Sequence, residues 1–126
     1  MRTPLFLGAL AGALALGLSA AAQPAKVGQT SSGTAFTDSA GMSLYTYTRD
    51  MPGYSNCNGP CAEAWPPFLA GQGGAASGDW TVIRRDDGKD QWAYKGAALY
   101  RYSKDARPGD ATGDGAAGGK WRLAKP

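Results

Sequence analysis

The sequence predicts a mainly β fold: a small antiparallel domain built of two related halves, with one short disulfide-tied helical turn. Three observations predict it. A unit made of a Gly turn, a Tyr-rich strand and an Asp turn occurs twice in the chain. Short runs of β-branched and aromatic residues alternate with Gly, Pro and Asp clusters, and the mature part shows no long helical period. Two cysteines in Cys-x-x-x-Cys spacing enclose a Pro that suits the first position of a helix.

The repeat is the most specific of these signals. Gly41-Met42-Ser43-Leu44-Tyr45-Thr46-Tyr47-Thr48-Arg49-Asp50 aligns with Gly96-Ala97-Ala98-Leu99-Tyr100-Arg101-Tyr102-Ser103-Lys104-Asp105 at a constant offset of about 55 residues. The Gly, the Leu, both Tyr and the Asp are identical. Pro52-Gly53 follows the first copy, and Pro108-Gly109 follows the second after a one-residue insertion. A single copy has too little apolar surface to stand alone, so the two are expected to pack face to face or side by side.

The elements follow in order. Residues 23–33 are polar and read as a flexible leader. Thr34 to Asp38 opens a strand, Ser39-Ala40-Gly41 turns, and Met42 to Thr48 forms a strand with Tyr45 and Tyr47 on one face. Asp50-Met51-Pro52-Gly53 ends it with turn chemistry. Asn58 is a candidate cap, Pro60 opens a helical turn over Cys61 to Trp65, and Pro66-Pro67 ends it because neither ring nitrogen can donate. Gly71 to Gly78 reads as a linker. A meander follows: Trp80 to Arg84, an Asp86-Asp87-Gly88 hairpin turn, Gln91 to Tyr94, a Lys95-Gly96 turn, and Leu99 to Ser103. Asp110 to Gly119 is a Gly- and Asp-rich loop before a final short strand, Trp121 to Leu123. The domain thus runs from 34 to 126, with repeats at about 34–70 and 79–124.

Residues 1–22 have the grammar of a cleavable signal peptide. Arg2 supplies the basic start, Leu5 to Leu18 is an uncharged apolar run, and Ala20 and Ala22 fit a small-residue cleavage site. The run is too short to span a bilayer comfortably. The expectation is export, to the periplasm or the medium, with no stable membrane anchor after cleavage and a monomeric domain. Export makes Cys57 and Cys61 a disulfide pair, with a stabilisation of about 2 kcal/mol from so small a loop. The formal net charge is +3 and the charges are interspersed, with no basic stripe that would suit nucleic acid. Histidine is absent, which excludes Ser-His and Cys-His catalysis and His-ligated zinc or copper.

Leu-Tyr-x-Tyr-x-x-Asp occurring twice, with Cys57-x-Gly59-x-Cys61-x-x-x-Trp65-Pro66-Pro67 between the copies, resembles the bacterial secreted-repeat family, predicted lipoproteins with a Y-x-(F/W/Y)-x-x-D motif. The resemblance covers Thr34 to Ala124. It implies export and a repeat architecture, and it carries no assigned reaction. The chain departs from it in lacking the lipobox cysteine directly after the apolar run, so lipid anchoring does not carry over.

The repeat-motif residues Tyr45, Tyr47, Asp50, Tyr100, Tyr102 and Asp105 are candidates for core and capping roles, with an aromatic platform as the functional alternative. Asp105, Asp110 and Asp114 are a weak candidate cation set, lacking the spacing of a helix–loop–helix calcium site. Cys57 and Cys61 with Met42 and Met51 are a candidate redox or copper set. No catalytic residue and no cofactor is expected. The leading expectation is a non-enzymatic envelope or secreted domain that binds a small ligand or an envelope component. The redox or copper protein and the calcium-stabilised module stand as alternatives.

Overall fold

The computed structural model describes residues 23–71 and 75–126. Residues 1–22, read from the sequence as a signal peptide, and part of the segment read as a linker lie outside the described residues. The order is β1 (Lys26–Thr30), β2 (Gly33–Thr37), β3 (Tyr45–Tyr47), α1 (Pro60–Ala64), β4 (Trp80–Arg84), β5 (Asp90–Tyr94), β6 (Ala97–Ala98), α2 (Ala116–Gly119) and β7 (Trp121–Leu123). All strand pairs are antiparallel: β1 with β2, β3 with β7, and β4-β5-β6 in sequence. The fold is mainly β with two repeat-like halves, as the sequence predicts.

Each half begins with a hairpin. Thr30 and Gly33 close the first, where the Thr30 hydroxyl donates to the Gly33 carbonyl at 2.6 Å. In the second, Asp86-Asp87-Gly88 makes the turn, with Gly88 N–H donating to Arg85 O at 2.9 Å. Lys95 and Gly96 then form a two-residue connection between β5 and β6. Both have positive φ, 51° and 85°, as a type I′ hairpin requires.

The repeats do not fold as separate units. Phe36 N–H donates to Ala124 O (2.8 Å), Ala124 N–H to Leu44 O (2.9 Å), and Leu44 N–H to Phe36 O (3.0 Å). The same three-way closure recurs in the other half: Trp92 to Phe68 (2.8 Å), Phe68 to Leu99 (2.9 Å), and Leu99 to Trp92 (3.0 Å). In each closure the hairpin and the Tyr strand come from one repeat, and the segment after the tryptophan comes from the other. Tyr45 and Tyr100 join the halves, each N–H donating to the other's carbonyl at 2.8 and 2.9 Å.

Two buried clusters result. Tyr45, Trp65, Tyr100, Trp121 and Leu123 form one, and Phe36, Leu44, Trp80, Trp92, Leu99 and Ala124 form the second. All four tryptophans are core.

Several boundaries differ from the sequence reading. Residues 23–33, read as a leader, instead contribute β1, which pairs along β2 from Lys26↔Thr37 to Thr30↔Gly33. Nothing apolar advertises it: Val27 is 55% exposed, and the strand is held by its ladder and by buried Ala25. The expected strand Met42–Thr48 shortens to β3 because the segment changes partners, with Ser43 bridging Thr37 and Tyr45 bridging Tyr100. Leu99–Ser103 is likewise no continuous strand. Ala97–Ala98 pairs with β5, and Tyr100 bridges Tyr45 and Pro67. Asn58 does not cap α1 through its side chain; its carbonyl accepts from Cys61 N–H at 3.1 Å.

Candidate functional site

The motif tyrosines and aspartates meet across the repeats. Tyr45 of the first repeat donates its hydroxyl to Asp105 Oδ2 of the second at 2.6 Å. Tyr100 of the second donates to Asp50 Oδ2 of the first at 2.7 Å. The remaining carboxylate oxygens also match. Asp50 Oδ1 accepts Asn56 N–H at 2.7 Å, and Asp105 Oδ1 accepts Thr112 N–H at 3.0 Å. Each aspartate therefore caps its own turn with one oxygen and locks the other repeat with the second.

The remaining motif rings build a column. Tyr47 stacks on Trp121 (4.2 Å, 13°), Trp121 on Trp65 (3.9 Å, 2°), and Trp65 on Tyr102 (4.0 Å, 19°). Tyr45 and Tyr100 press edge-on against the two central rings, at 5.3 and 5.1 Å. Exchanging the repeats maps this arrangement onto itself. Stacked and edge-on contacts suit the ring quadrupoles and add to simple burial. Gly113 lies against the column. A Cβ there would sit 2.6 Å from Trp65 Cη2 and 2.9 Å from Tyr102 Cδ2, so any side chain collides.

Burial pushes the Tyr45 and Tyr100 hydroxyls well above their ordinary value of 10.0, and the neighbouring carboxylates push the same way. Both phenols thus stay protonated and remain donors. Above pH 10 the unfolded chain ionises these groups and the native chain does not, so their stabilisation is present in full below that pH and is lost progressively as pH rises from it through the raised native value. In a spectrophotometric titration, two of the six tyrosines should ionise only as the fold is lost. Tyr45→Phe/Tyr100→Phe should remove that late step.

A buried charged element sets the second half apart. The Arg85 side chain is fully buried, with side-chain exposure of 0%. It donates to Ser55 Oγ (3.0 Å), Gln91 Oε1 (2.9 Å), Cys57 O (2.8 Å) and Asp87 Oδ2 (3.1 Å). Ser55 Oγ in turn lies 2.5 Å from the Tyr100 hydroxyl. This Arg–Ser–Tyr–Asp set has the composition of a catalytic constellation. Ser55, Tyr100 and Arg85 are nevertheless all buried, and every polar atom named faces another of the protein. Burial also raises the Asp50 carboxyl above its ordinary value, against lowering by Asn56 N–H, Tyr100 and Arg85.

Cys57 and Cys61 are disulfide-bonded, with Cα atoms 5.2 Å apart, and so present no thiolate to copper or to a substrate in this state. Replacing both by Ala should cost only about 2 kcal/mol, because the loop is short. Chemical denaturation checks this. The acidic trio does not converge. Asp105 serves Tyr45 and Thr112, Asp110 Oδ2 accepts from Ala106 and Arg107 N–H, and Asp114 Oδ1 accepts from Leu123 N–H. Among the described residues no group of three His, Cys, Asp or Glu is placed to hold a metal ion. No helix among them is long and apolar enough to cross a membrane.

The family described as a secreted repeat of unknown function matches residues 26–68 and 81–125, most of the chain. The chain belongs to that family. No curated protein and no solved structure matches it. Each match in this secreted repeat runs from the hairpin to the segment after the tryptophan, the pieces that are exchanged between the halves. The family's description supports export.

What the motif leaves accessible is a cleft beside it. The turn Met51-Pro52 faces the turn Lys95-Gly96 across a space of about 180 Å³ lined also by Tyr47, Asp50, Ala97 and Ala98. A larger cleft of about 290 Å³ adjoins it through Lys95 and Ala97. Both junctions keep a backbone tie, Gly53 N–H to Gly96 O at 2.8 Å and Gly109 N–H to Gly41 O at 3.1 Å, but in the other half side chains pack the junction closed. Pro108 packs against Gly41, where an added Cβ would lie 3.0 Å away against 3.9 Å for Pro52 at Gly96. Ser43 Oγ donates to Asp110 O at 2.5 Å, and Ala98 stands at the place of Ser43 in the open half. Sequence reading missed Arg85, Gly113 and this cleft. A repeat-by-repeat comparison of Ser43 with Ala98 and of Ala40 with Lys95 is the only signal that marks the cleft.

Proposed function

We propose that this secreted repeat is a non-enzymatic binding domain, acting as a monomer in the periplasm or the medium of a bacterium. Its ligand-bearing surface is the cleft between Met51-Pro52 and Lys95-Gly96. The observation that carries this reading is the asymmetry between two otherwise matching turn junctions, open at Gly96 and closed at Gly41. A junction kept for stability alone has no reason to lose the Ser43–Asp110 tie in one copy. The motif polar groups are engaged with one another, which leaves a reaction no free acid or base among them. The partner is a small ligand or an envelope component.

The test is photocrosslinking in intact producing cells, with a benzophenone residue at position 51 or, as control, at position 107 in the closed junction. The expected result is a discrete adduct from position 51 alone. Equal labelling from both positions, or none from 51, counts against the cleft. Turnover of any substrate that is lost on Asp50→Asn or Asp105→Asn contradicts the non-enzymatic reading.

A further inference from the structure

We propose that the cleft receives a single planar aromatic ring with a carboxylate close by, the ring stacking on Tyr47. This deepens the binding reading above and rests on it. Tyr47 is the end ring of the four-ring column, stacked on Trp121, and Tyr47 is among the residues that line the cleft. A guest ring there becomes a fifth member, in the offset geometry that aromatic pairs prefer. At the opposite end, Tyr102 packs against Trp65 and Gly113.

Size restricts the guest. A space of about 180 Å³ lies below the range that holds a drug-sized molecule, and suits one ring. Met51, 63% exposed, offers a polarizable thioether beside it. Charge selects the substituent. Lys95 is the only cation among the lining residues, and the type I′ turn fixes its backbone. Asp50 is also in the lining, but its two oxygens accept from Asn56 and Tyr100 of its own chain. The guest's carboxylate therefore belongs at the Lys95 rim. The closed half has Ala40 in place of Lys95, and its own cation, Arg107, stands at the place of Met51, so the space with a lysine at the Gly96 turn belongs to one side.

The experiment is a ¹⁵N–¹H NMR titration of the secreted chain with three probes: phenylacetate, cyclohexylacetate and phenethylamine. Phenylacetate should shift the amides of Met51 and of Lys95 to Ala98, with a dissociation constant of about 1 mM. Cyclohexylacetate, which lacks the π face, and phenethylamine, which reverses the charge, should each bind about three- to tenfold more weakly. Lys95→Gln should weaken phenylacetate about two- to fivefold. Ala97→Phe should abolish its shifts while the rest of the spectrum stays native. Equal affinity for the three probes, shifts elsewhere on the surface only, or shifts that survive Ala97→Phe overturn the proposal. A silent cleft together with a position-51 crosslink removes the ligand class and leaves the binding reading standing. The absence of that crosslink removes the binding reading itself.

Discussion

Gly113→Ala should destabilise the domain by about 3 kcal/mol or more, lowering Tm by about 15 °C, or prevent folding altogether. The cause is steric. Gly113 is not at positive φ, so Ala meets no backbone penalty there. Its Cβ would lie 2.6 and 2.8 Å from two Trp65 ring carbons and 2.9 Å from Tyr102. Trp65 cannot slide aside, because Trp121 and Tyr102 sandwich it at 3.9 and 4.0 Å. Relief requires the whole column to shift. Near-ultraviolet circular dichroism should therefore lose the stacked-tryptophan signal even where some fold persists. Gly28→Ala is the control: its Cβ meets only the Thr37 side chain, at 3.3 Å, and the change should cost far less.

Arg85→Met is the second large effect, at about 3–5 kcal/mol by the usual cost of breaking a buried charged network. The loss strips partners from Gln91 Oε1, from the Cys57 carbonyl and from Ser55, all inside the protein. It also removes a cation that favours the ionised form of half-buried Asp50. Arg85→Lys keeps the charge but cannot spread donors over four acceptors at once, so it should recover only part of the stability. Urea denaturation with the slope held common across variants reads the order wild type, Lys, Met. Equal stability of the Lys variant and wild type would make charge alone, rather than the guanidinium fork, the relevant property.

Much of this architecture is legible in the sequence, because a duplicated Tyr-x-Tyr-x-x-Asp and its spacing to Trp-Pro-Pro are local patterns. The β class, the hairpin at Asp86-Gly88, the Lys95-Gly96 turn, the helical turn at Pro60 and the core role of the tryptophans all follow from such patterns. The sequence does not show which copy completes which. Tyr45 pairs with Asp105 rather than with Asp50, a preference that exists only once the segments after Trp65 and Trp121 have crossed over. Arg85 was hidden for a related reason. Arg84-Arg85-Asp86-Asp87 has the pattern of a solvated charged turn, and only the approach of Ser55 to Asn58 from the other repeat buries the second arginine. β1 escaped notice because its stability lies in backbone pairing, which carries no hydrophobic alternation. The cleft is an absence of packing, and no residue pattern within one repeat announces it.

The central claim is that the repeat motif is a reciprocal lock between the copies. A double-mutant cycle tests it most directly. Tyr45→Phe and Asp105→Asn should couple by about 1 kcal/mol or more, since each removes the same buried, charge-assisted hydrogen bond. Tyr45→Phe and Asp50→Asn, which lie in the same copy, should be additive within about 0.5 kcal/mol. Coupling of Tyr45 with Asp50 and additivity with Asp105 would contradict the reciprocal lock.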